Sequence, residues 1–130
     1  MLQKLKLQTT ARTLMLDVTG QVQRAVERSG IRSGLACIFT PHTTAGVVIN
    51  EHDDPDVARD ILSTLEKLVP RQGDYRHYEE NSDSHIKSTL AGCSQTVIIE
   101  DGRLLLGTWQ GVFFCEFDGP RQRELWIKIT

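Results

Sequence analysis

The sequence predicts an α+β fold: a mixed or antiparallel β-sandwich-like arrangement of sheets carrying about three helices. Three observations lead there. Short apolar runs, alternating or continuous, recur along the chain with turn residues between them. Three segments switch to the helical period, and everything after Gly92 is β in pattern.

Residues Leu2 to Thr9 and Thr13 to Val18 alternate as two half-buried strands do. QVQRAVERSG then places Val22, Ala25 and Val26 on one helical face and ends at Gly30, a C-cap. GLACIFT and GVVIN read as short buried strands joined by PHTTA, expected to pair as a hairpin. In the next helix Asp54 caps, Pro55 suits the first position, and Val57, Ile61, Leu62, Leu65 and Leu68 form an apolar stripe before Pro70. A polar loop from Arg71 to about Asn81 leads into a shorter helix, DSHIKSTLAG, starting near Ser82 or Asp83 and ending at Gly92. The runs TVIIE, RLLLGTW, VFFCEF and RELWIKI follow, punctuated by Asp101-Gly102, Gln110-Gly111 and Asp118-Gly119-Pro120, and predict an antiparallel meander. About eight strands result.

At 130 residues the chain fits one domain, residues 1–130, with no linker or repeat. A net charge of -2 and a pI near 6.1 supply no field that would draw nucleic acid or an anionic membrane. No run reaches transmembrane length, and MLQKLKLQ lacks the apolar core of a signal peptide. Cys37, Cys93 and Cys115 are odd in number, form no CxxC pair and lie in or beside apolar runs, so reduced, buried thiols in a cytoplasmic protein are expected.

The four histidines show no i, i+4 or HxH spacing, so any metal site must be assembled by the fold. His42 stands at a strand exit among Thr40, Thr43 and Thr44; His77 lies in the polar loop, and His85 in the first turn of a helix, where free N–H groups favour anions. His52 reads as a bystander in a stretch explained by helix capping. Glu51, after an apolar strand, is suited to orient a histidine or a metal. In GTWQG, residues 107 to 111, Trp109 reads as a core or subunit-contact aromatic, and Thr108 and Gln110 as polar groups of a ligand platform. Arg76 and Lys87 are placed to meet a phosphate.

FTPHTTAGVVINE, DPDVARDIL, YRHYEENSDSHIKSTLAG and GRLLLGTWQGVFFCEFDGPR resemble, in order and spacing, the YjbQ family of UPF0047-type small proteins, from Gly34 to Arg123. The resemblance implies an α+β sandwich, a homotrimer, and thiamine-phosphate synthase activity, as a main or a secondary reaction, on small phosphorylated metabolites. His42, Glu51, Asp60, His77, Asn81 and His85 match the family's recurrent polar positions; His52 departs from its usual small or amide residue. On this basis His42, His77 and His85 are expected to gather one divalent metal, zinc by the imidazole set or Mg²⁺ by the oxygen preference of phosphates. His42, Glu51 and His85 are the expected catalytic residues, with Thr43, Thr44, Asp60, Arg76, Asn81, Thr108 and Gln110 binding the ligand. Two other readings stay open: a metal-dependent hydrolase of a phosphate or ester, and a non-catalytic trimer that binds a metal or metabolite.

Overall fold

A computed structural model describes residues 1–130. It contains eight strands and three helices: β1 (Leu2–Gln8), β2 (Leu14–Asp17), α1 (Thr19–Ser29), β3 (Gly34–Phe39), β4 (Ala45–Glu51), α2 (Pro55–Leu68), α3 (Ser82–Ala91), β5 (Ser94–Glu100), β6 (Arg103–Leu104), β7 (Gln110–Glu116) and β8 (Gln122–Ile129). The strands form an antiparallel five-stranded sheet, β1-β8-β3-β5-β6, and a three-stranded sheet, β2-β7-β4. Their inner faces enclose the main core with one face of α1, formed by Val22, Ala25 and Val26.

Two pairings differ from the sequence reading. β3 and β4 are not a hairpin: PHTTA carries the chain from one sheet to the other, so Ala36 and Ile38 join Ala45 and Val47 in one core from different sheets. Nor do the last four strands form a meander. β7 is buried on both faces, with Val112 and Phe114 in the main core and Phe113 and Cys115, joined by Phe117 just past the strand, in a second cluster beneath α2. A strand apolar on both sides needs cover on both sides, so β7 takes the centre of the smaller sheet while β5, β6 and β8 belong to the larger. RLLLGTW yields only the two residues of β6, and Leu105 is exposed.

α2 starts where its capping residue places it. Asp54 accepts a hydrogen bond from the Asp56 amide at 2.9 Å, and Ile61, Leu62 and Leu65 pack on the second cluster, whereas Leu68 is exposed. α3 approaches β4 closely: a Cβ on Gly46 would stand 2.9 Å from both the Ala91 Cβ and the Gly92 carbonyl oxygen. Ser88 Oγ donates to the Ala45 carbonyl at 2.6 Å, fixing the helix across that end of the strand.

The cysteines also require correction. Cys115 is buried, and burial pushes its thiol up to about 12. Cys37 and Cys93 are exposed. On β3 the alternation gives the core to Ala36 and Ile38, which turns Cys37 outward. No helix is long and apolar enough to cross a membrane.

Candidate functional site

One end of the sandwich gathers the histidines. Here β3 leaves the five-stranded sheet after Phe39, opposite Trp126, and the Glu124 amide beyond it loses its ladder partner. The His42 ring takes that place: Glu124 N donates to His42 Nε2 at 2.8 Å. With Nε2 accepting, the neutral ring carries its proton on Nδ1. Burial, helped by the nearby Arg123 charge, lowers the His42 pKa. The ring borders an open cleft of about 480 Å³ with Lys6, Gln8 and Arg123. Beneath it Arg123 pairs with buried Glu116, and Arg123 Nη2 donates to Thr44 Oγ1 at 2.8 Å. Burial alone would raise the Glu116 carboxyl, but bonds from Arg123 and Thr9 bring it below its ordinary value. Thr44 is therefore buried structure, while Thr43 is exposed.

A stability prediction follows from the His42 contact. A histidine whose folded pKa lies below its unfolded value favours proton uptake on unfolding, so its contribution is present above about pH 6.5 and is lost as pH falls through that range. Denaturant midpoints of the wild type should rise between pH 5 and 7.5, and His42→Ala should flatten that rise. Because Glu124 N–H is left unpaired, the variant should also lose about 1–2 kcal/mol at pH 7.5.

His77 and His85 meet at the start of α3. Their ring centroids lie 5.4 Å apart, edge to face, with the Glu79 carboxylate 4.0 Å from His77 Nε2. α3 begins without a side-chain cap: the Asn81 amide nitrogen donates to Asp118 Oδ2 at 2.9 Å, and its buried Oδ1 has no hydrogen-bond partner. His42 belongs to the same end: Ser84 bonds to the Phe117 carbonyl, and the Phe117 amide donates to Thr44, two residues beyond His42. The three histidines nevertheless form no joint ligand set, and no group of three or more metal-ligating side chains exists within the chain. His77 and His85 suit two positions around a divalent ion. His42 Nε2 is committed to a backbone amide, and ligation through Nδ1 would require losing the proton that this bond places there.

Beneath this turn lies a cluster that sequence reasoning did not find. Asp83 is fully buried and accepts from Arg12 Nη1 and Nη2 at 3.2 and 3.0 Å and from Lys87 Nζ at 2.8 Å; Lys87 reaches Glu66 at 2.7 Å. Burial raises the Asp83 carboxyl, and the two cations outweigh burial and hold it below the ordinary range. Lys87 is thus an internal brace joining α2 and α3, not a surface cation open to a phosphate. Its i, i+4 spacing from Asp83 was readable in the sequence; the contributions of Arg12 and Glu66 required the fold.

Glu51, Thr108 and Gln110 occupy the opposite end. Glu51 and Gln110 are cross-strand partners at the far end of β4 and β7. The seven-residue β4 puts them about 20 Å from the Ala45 end where α3 packs. Glu51 therefore cannot serve His77 or His85 within one chain. GTWQG is a turn: the Gln110 amide donates to the Gly107 carbonyl at 3.0 Å, and Gln110 Oε1 accepts from the Gly107 amide at 2.8 Å. Thr108 and Trp109 are exposed there. His52 is more than a bystander. Its Nδ1 lies 2.8 Å from Asp17 Oδ2, and its ring covers Gly111 so closely that a Cβ there would stand 2.4 Å from it. Asp60 on α2 and Arg76 in the polar loop are exposed.

Comparison with known proteins finds a match over residues 3–130 to the family described as UPF0047 protein YjbQ-like. A UPF0047 protein of Methanocaldococcus jannaschii is 52% identical over 99% of this chain and 94% of its own length, and the UPF0047 protein YugU of Bacillus subtilis is 50% identical over 99% and 98%. Among solved structures, a YjbQ/UPF0047 family protein from Clostridium acetobutylicum superposes with a TM-score of 0.97 at 52% identity, covering 98% of this chain and 99% of that one. A hypothetical protein from Aeropyrum pernix does so with a TM-score of 0.95 at 34% identity, covering 100% and 98%.

Proposed function

We propose a function from the premise that this chain belongs to the YjbQ-like UPF0047 family: it acts on a small phosphorylated metabolite, in a site where His77 and His85 of one copy face Glu51 and Gln110 of the next. The reaction proposed is that of a thiamine-phosphate synthase, joining hydroxymethylpyrimidine diphosphate to thiazole phosphate. The observation that carries the reading is the His77–His85 pair at the uncapped start of α3, where two imidazoles and free helix N–H groups suit an anionic ligand. His77 and His85 would hold a divalent ion, zinc by their donor chemistry, which when bound would neutralise charge on the departing diphosphate. Asn81 is anchored to Asp118, and Ser82 Oγ donates to the His77 carbonyl, which ties the loop carrying His77 to the first turn of α3.

Glu51 supports a site shared between copies. If it acts as base or orienter at the histidines, the 20 Å separation requires another subunit, and the head-to-tail contacts of a cyclic homotrimer bring opposite ends of neighbouring copies together. The outer face of the five-stranded sheet also leaves an apolar patch for such contacts: Leu35 opposite Ile98, with Leu105 alongside, all exposed in the single chain. Light scattering at micromolar concentration is expected to give three times the 14.7 kDa chain mass; a monomeric mass contradicts the shared site. Supplying the diphosphate and thiazole substrates should yield thiamine phosphate, and activity retained by the His77→Ala/His85→Ala double variant would exclude this reading.

A further inference from the structure

We infer that a second anion-binding site, independent of the histidine pair, lies in the groove between the β1–β2 loop and α2, and that it takes a phosphate or diphosphate group. Arg12, Arg59 and Arg71, from three separate segments, line this open groove of about 500 Å³ with Thr13 and Ser63. Such a grouping is unexpected in a chain with 17 acidic and 15 basic residues, because like charges repel unless an anion joins them.

The nearby carboxylates neutralise Arg12 and Lys87 and leave the two outer arginines open to an anion. Glu66, the one acidic residue lining the groove, has its Oε2 2.7 Å from Lys87 Nζ. Asp83 is fully buried below, shared between Arg12 and Lys87. Arg59 has only an exposed pair with Asp56 at 3.0 Å, the kind of contact that contributes little, and Arg71 forms no ion pair. Arg12 is held in place by its two-pronged pairing with Asp83, yet its buried Nε has no hydrogen-bond partner. Arg12 is thus a fixed positive charge whose fork Asp83 already takes, and the two exposed arginines are the ones free to close on a ligand. Guanidinium forks match phosphate oxygens in pairs, which a lysine cluster would not do.

The test is calorimetric titration of inorganic pyrophosphate and inorganic phosphate into the full chain with EDTA present. Saturable binding of at least one is expected, weakened about tenfold or more in Arg59→Gln/Arg71→Gln and unchanged in His77→Ala/His85→Ala. Both arginines are exposed, so that variant should keep the wild-type circular dichroism and melting temperature. The proposal is overturned if the wild type does not bind either anion, if Arg24→Gln/Arg103→Gln weakens binding as much, or if only the histidine variant loses it. The last result would move the anion to the histidine pair and leave the proposed function standing.

Discussion

Asp83→Ala is expected to lower the stability of the folded chain by about 3–5 kcal/mol, the largest loss from any single substitution considered. Removing this buried carboxylate strands two cations at once. Lys87 is 1% exposed and would keep only the half-exposed Glu66, while Arg12 would keep only the Ser84 hydroxyl. The same brace ties α2 and α3 to the β1–β2 loop, so the start of α3, with His85, should loosen first. Chemical denaturation measures the effect, and a loss below 1 kcal/mol would show that water compensates the stranded charges. The pH dependence is a second readout. Because Asp83 titrates below its unfolded value, its contribution is present above the ordinary carboxylate range and is lost as pH falls through the folded-state value. The alanine variant should lack that part of the acid-induced loss.

The second large effect is on activity. His85→Ala and Glu51→Gln are each expected to reduce thiamine-phosphate formation by about 10²-fold or more, the usual scale for a group taking part in proton transfer or charge stabilisation. Neither should unfold the chain: the His85 side chain is partly exposed, and so is Glu51 at a strand end. His42→Ala serves as a comparison. Its ring completes the sheet ladder, so its activity loss should follow its stability loss and be restored at temperatures where the variant is fully folded.

Local signals were legible in the sequence wherever a residue's role depends on its neighbours in the chain. Asp54 and Pro55 marked the start of α2, Gly30 the end of α1, and the Val22, Ala25, Val26 face its burial. Pairing was less legible, because a strand's partner depends on what covers its faces. β3 and β4 are adjacent in sequence yet lie in different sheets, since both contribute apolar side chains to the same interlayer core. The residues of the proposed site were identifiable as a set through the resemblance, but their placement was not: spacing along the chain says nothing about Glu51 and His85 lying at opposite ends of β4. The buried brace was hidden for a similar reason. A lysine and an aspartate one helical turn apart usually read as a solvated pair, and only the packing of α2 and the β1–β2 loop encloses them.

The central claim is that the site is assembled from two copies, and co-refolding of inactive variants tests it most directly. His85→Ala and Glu51→Gln chains, each inactive alone, are mixed in equal amounts, unfolded, refolded and assayed for thiamine phosphate. In a cyclic trimer with each site shared by neighbours, random mixing leaves about a quarter of the sites with both native residues, so about a quarter of wild-type activity should return. Mixed trimers of the correct mass that remain inactive would contradict the shared site.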